Sequence, residues 1–246
     1  MKWTVYALAA ATVMASAGGA AATTGRRADF ALGFSTKSRG ARAALTLHVV
    51  YKAAGDAKAK PSPIRKVVIR APAGTRFNTG AVAACKASDS DLQAQGSDAC
   101  PAESRIGAGK LSADTGFGPP VDPVAGDLTL FNSGTAIIEV VTAPGTDRVL
   151  GIDRLKIGGS TLTGNPPVTP GGPPDGETAV RQIDFTIERK TGFVVTPRSC
   201  PRTRRWKSSG TFGFADGAEE TVRSTAACRP RRRSAPPSSR STRRSL

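Results

Sequence analysis

Residues 44–52, ALTLHVVYK, and 181–190, RQIDFTIERK, decide the fold class, because both alternate apolar and polar side chains with a period of two. In the first, Leu45, Leu47, Val49 and Tyr51 share a face and Thr46, His48 and Lys52 share the other. In the second, Ile183, Phe185 and Ile187 oppose Gln182, Asp184, Thr186 and Glu188. Successive side chains of a strand point to opposite sides, so each stretch reads as a strand with one face buried. No helical period is sustained beyond about two turns, and the chain reads as all-β.

Working outward, further strands are expected at 28–36, 64–71, 105–114, 127–132, 136–143, 148–157, 192–197, 206–215 and 218–225. Asn132-Ser133-Gly134 and Thr191-Gly192 fit short connections, and Asp216-Gly217 suits a two-residue hairpin, so antiparallel pairing follows. Ile137, Ile138, Val140 and Val141 are apolar on both parities, as in a central strand covered on both sides or one that shifts between sheets. Two packed sheets account for this, and the expectation is an antiparallel β-sandwich. One short helix is expected in KASDSDLQAQG, with Ser88 or Asp89 as its cap and Gly96 as its end. Residues 163–177, TGNPPVTPGGPPDGE, should form a long extended excursion on the surface.

The N-terminus reads as an export signal: Lys2 precedes the apolar run WTVYALAAATVMASA, and small residues follow from Gly18 to Ala22. Cleavage after Ala17 or after Ala22 satisfies the small-x-small rule, and the second is preferred. The run is short and Ala-rich against the roughly 20 apolar residues of a spanning helix, so no membrane span is expected after cleavage. The organisation expected is a signal peptide at 1–22, one domain at 23–228 and a disordered Arg-rich tail at 229–246. The net charge of +16 is uneven, since the last 18 residues carry seven Arg and no acid. The remaining surplus implies attraction to polyanions without choosing among them.

In an oxidising compartment the four cysteines allow three pairings. Cys85 with Cys100 and Cys200 with Cys228 are favoured: the first closes a loop around the short helix, and the second ties the start of the final hairpin to its end. Separations of 15, 100 and 28 residues, with one His in the chain, do not fit the close pairs of a zinc or redox site.

Several chemistries are disfavoured. Any Ser-His-Asp mechanism would need His48, which sits mid-strand on the polar parity. No nucleophile elbow, phosphate loop or dinucleotide fingerprint occurs, and no cofactor or metal is expected. Carboxylate pairs stay open, with Asp184 and Glu188 on one strand face and Asp147 and Asp153 flanking another strand. Asp89-Ser90-Asp91 with Asp98 lacks the glycine and closing Glu of an EF-hand loop, and reads as a helix start. The best candidate surface is RSCPRTRRWK, where Arg198, Arg202, Arg204, Arg205 and Lys207 surround Trp206. Such a patch could grip an anionic polymer, with the indole stacking. Trp206 also shares parity with Phe212 and Phe214, which would make it a core anchor. Aromatic residues are 5% of the chain, too thin for a single-strand nucleic-acid platform.

The succession KVVIRAPAGTRFN, CKASDSDLQAQGSDACP, GPPVDPVAGDLTLFN, PPVTPGGPPDG, TPRSCPRTRRW, FADG and a closing Cys228 resembles a family of uncharacterised exported proteins of high-GC actinobacteria. The resemblance covers about residues 28–228, implies one exported β-rich domain and transfers no site. The resulting expectation is a non-catalytic envelope or extracellular interaction module that contacts an anionic envelope polymer or a protein. The alternative is a secreted carboxylate-dependent hydrolase of cell-wall carbohydrate.

Overall fold

The computed structural model describes residues 25–229. The expected signal peptide at 1–22 and, apart from Arg229, the tail at 229–246 lie outside the described residues. Along the described chain run β1 (Ala28–Phe34), β2 (Leu45–Tyr51), β3 (Ile64–Arg70), β4 (Arg76–Phe77), α1 (Asp89–Gln95), β5 (Arg105–Asp114), β6 (Val124–Asn132), β7 (Ala136–Thr142), β8 (Val149–Gly158), β9 (Thr161–Gly164), β10 (Ala179–Ile187), β11 (Val194–Val195), β12 (Arg205–Phe214) and β13 (Glu219–Ala227).

Eleven of these strands form one hydrogen-bonded sheet in the order β1-β2-β10-β5-β6-β7-β8-β9-β3-β12-β13, with every neighbouring pair antiparallel. The sheet curls until its two edges meet. There Leu32 N–H donates to Ser224 Oγ at 3.3 Å and Arg27 N–H donates to Glu220 Oε2 at 2.7 Å, side-chain bonds in place of a ladder. The result is a nearly closed barrel. The expected two-sheet sandwich gives way to it, because the second cover over β7 is not a second sheet. Ile137 and Val141 point into the barrel, whereas Ile138 and Val140 pack outside it with Phe131, Leu92 and the Cys85–Cys100 bridge.

That outer cover is built by local rules. Ser88 caps α1 by accepting from Asp91 N–H, and the Asp91 carboxylate accepts in return from Ser88 N–H at 2.9 Å, a reciprocal capping box. Leu92 is the buried side chain of α1, and Gly96 ends the helix at φ 61°. Cys85 pairs with Cys100 and Cys200 with Cys228, at Cα separations of 5.0 and 5.8 Å.

Closure also needs a sharply coiled wall. On β5, a Cβ at Gly107 or Gly109 would collide with the backbone of β10 at Thr186 and Asp184, so only glycine lets the two strands approach this closely. Gly109→Ala is expected to lower unfolding stability by about 1–3 kcal/mol, the scale of an overpacked interior. Urea denaturation would show it, and an unchanged midpoint would refute this account of the bend.

The interior is filled unevenly. Phe30 and Tyr51 pack on Phe212 at ring distances of 6.3 and 5.2 Å. One end is plugged by the short β4–β11 ribbon, with Phe77 against Phe193 at 6.1 Å. The strand expected at 192–197 is only β11, since Thr191-Gly192 leads into this plug. The expected two-residue hairpin at Asp216-Gly217 is a three-residue loop, with Gly217 at φ 82° and Phe214 N–H bonded to Ala218 O at 2.9 Å.

Candidate functional site

Opposite the plug, the connections after β2, β5, β7 and β9 surround a mouth, and behind it a cavity of about 340 Å³ occupies the barrel. This volume lies at the small end of ligand pockets, roughly 300–1,000 Å³. Alternation puts the aliphatic faces of the strands on its wall, among them Val49, Val67, Leu111, Val141 and Leu155. Two acids interrupt that wall. Glu139 on β7 and Asp153 on β8 are direct cross-strand partners, so both side chains share the inner face.

Glu139 is 6% exposed, and its Oε1 has no hydrogen-bond partner among the described residues. Burial, reinforced by the charge of Asp153, pushes its carboxyl up to about 8. Asp153 is also raised, mainly by burial and further by Asp89, against the Arg154 N–H that donates to its Oδ1 at 2.7 Å. Tyr51 reaches across from β2, and its phenol is raised by burial and by the charges of Glu139 and Asp153. On β9, Gly164 leaves room for this pair: a Cβ there would sit 3.3 Å from Asp153 Oδ2 and collide with Leu155.

The Pro/Gly excursion, shortened by β9 to 165–178, lies across the mouth and is fastened there. Lys60, with its side chain 7% exposed, bonds Asp175 at 2.5 Å, Gly172 O at 3.3 Å and the Glu177 carbonyl. Arg65 pairs with Glu177 at 2.6 Å, and Arg181 pairs with Asp114 at 2.6 Å. The neighbouring 115–123 connection wraps around Asp122, which accepts from Thr115, Gly116 and Gly118 N–H at 2.6, 3.0 and 2.8 Å. These two connections also carry Phe117, Val121 and Val168, which are large apolar side chains exposed at the rim.

The residues singled out from sequence fall elsewhere. Arg198, Arg202, Arg204, Arg205 and Lys207 are exposed at the plugged end. Trp206 among them is 2% exposed, edge-on to Phe34 at 5.5 Å, with its Nε1 donating to Ser199 O at 2.8 Å, so the indole anchors the core. His48 and Asp184 are cross-strand partners on the outer face and bond each other. Glu188 pairs with Lys190 at 2.8 Å, and Asp147 lies on the exposed β7–β8 turn. Asp89 binds Arg154 at 2.7 Å. Of the acids weighed from sequence, only Asp153 reaches the cavity. Glu139 escaped notice because it sits inside the apolar run AIIEVVT. A lone carboxyl in a strand apolar on both parities was the signal that could have found it. No protein-family model matches the chain, and no curated protein does either.

Proposed function

We propose that this protein is an exported, non-catalytic binding module whose barrel holds a small, mainly apolar ligand. The observation that carries the reading is the aliphatic cavity of about 340 Å³ opening between tethered connections. Few polar groups in an apolar, concave, preformed space are the usual character of a small-molecule site. Two disulfides support an oxidising compartment. The exposed cations at the plugged end suit contact with an anionic envelope polymer, an orientation that would leave the mouth clear. The cavity favours binding over hydrolysis of wall carbohydrate, because an aliphatic interior does not suit a hydrated polysaccharide strand.

The test is thermal unfolding of the mature protein with linear alcohols of six to ten carbons. A ligand that binds only the folded state raises the midpoint as its concentration grows. The expected result is such a rise, abolished by Val141→Phe, which fills the lumen. No rise with any alcohol, or an equal rise in the filled variant, would overturn the reading.

A further inference from the structure

We propose that Glu139 and Asp153 hold the ammonium group of a primary amine whose hydrocarbon part fills the barrel lumen, an inference that rests on the binding reading above. The two carboxyls are adjacent on β7 and β8, share the inner face, and lie in a wall otherwise built of aliphatic side chains. A buried acceptor without a partner is costly, and native proteins seldom keep one without a use for it. Glu139 Oε1 is such an acceptor. What it lacks is a donor, and none of the described residues brings one.

The sign of the missing group follows from the charges that face the pair. Across the lumen β2 presents Tyr51, a neutral phenol. β3 presents Arg65 nearer the mouth, already bound to Glu177. The β7–β8 turn presents Arg148, which is exposed. Outside the wall, Arg154 is engaged by Asp89 and by Ala87 O at 2.9 Å. Among the described residues no basic group lowers Glu139, and its neighbour's charge raises it further. Two acids sharing one site retain a proton that an arriving cation can displace. An ammonium offers three donors and a positive charge, enough for both carboxyls, whereas an alcohol offers one donor and a fatty carboxylate adds like charge. At about 30 Å³ for each water-sized group, the lumen has room for on the order of ten heavy atoms, so the amine is small and singly chained.

The experiment compares octylamine, 1-octanol and octanoate on the unmodified full mature protein by isothermal titration, followed by Glu139→Gln and Asp153→Asn. Octylamine is expected to bind at least tenfold more tightly than octanol, with octanoate weakest. Its affinity should rise between pH 6 and 9, because binding expels the proton that buried Glu139 retains while the alkylammonium, like lysine at about 10.4, stays charged. Either variant should erase the preference for amine, so that octylamine binds no more tightly than octanol, while the blue-shifted emission of buried Trp206 reports that the variant is folded. Octanol binding without a preference for amine, or a preference that survives both variants, overturns the inference and leaves the cavity reading standing. Failure of all three probes to bind overturns both.

Discussion

Glu139→Leu is expected to yield a protein more stable than the parent, by about 1–4 kcal/mol, the range seen when buried ionic groups give way to hydrophobic ones of similar size. The parent carboxyl is 94% removed from solvent, one of its oxygens has no partner, and Asp153 lies beside it on the next strand. Leucine would extend the aliphatic wall in its place. The pH dependence supplies the sharper signature. A carboxyl raised from its ordinary value of 4.5 to about 8 in the fold keeps its proton after the unfolded chain has lost it. Between those values the unfolded state binds fewer protons, so stability falls as pH rises, by up to about 1.4 kcal/mol per unit. Below pH 4.5 the effect is absent, and above pH 8 it is complete. Asp153, also raised, adds to the same trend and persists in the variant. Denaturant midpoints of parent and variant from pH 4 to 9 would expose the difference. Parallel curves would mean that the carboxyl is solvated and the cavity chemistry misread.

Loss of the Cys200–Cys228 bridge in a double Ser variant is expected to cost about 3–4 kcal/mol, as chain entropy gives for a loop of 28 residues. The bridge joins the base of β12 to the end of β13 at the plugged end, where Cys228 N–H also binds Arg204 O at 3.0 Å and Arg229 N–H binds Lys37 O at 2.9 Å. For a domain of this size the melting temperature should drop by on the order of 10 °C. Trp206 is the one tryptophan among the described residues. Its emission should shift to the red as water reaches the indole near Phe34. A melting temperature within 2 °C of the parent would show that the hydrogen bonds at this end suffice alone. The Cys85–Cys100 loop of 15 residues has a smaller entropic effect and closes only the cover over β7.

The strands that face water on one side were legible from sequence, because Thr46, His48, Asp184 and Thr186 had to alternate with the core residues of β2 and β10. Both disulfides and the capped helix were legible for the same kind of reason, since each is set by chemistry local to its segment. Closure into a barrel was not. It depends on β10 settling between β2 and β5, and on β3 pairing with β9 and β12, and such long-range neighbours leave no mark in local periodicity. β4 and β9 were too short to show alternation. The cationic patch was visible as composition, whereas the cavity is the space left by side chains of eight or more separate segments. Glu139 became conspicuous only when β7 was seen to be covered inside by the lumen and outside by α1.

The fastening of the 165–178 connection bears on time rather than on affinity. Lys60, Arg65 and Arg181 hold the rim through ionic contacts, while the lumen wall beneath them is aliphatic. Dissolved salt weakens the first kind of contact, least at Lys60 because its side chain is 7% exposed, and leaves the second nearly untouched. The residence time of an uncharged guest would therefore shorten as the ionic strength around the protein rises, even where its equilibrium occupancy barely changes.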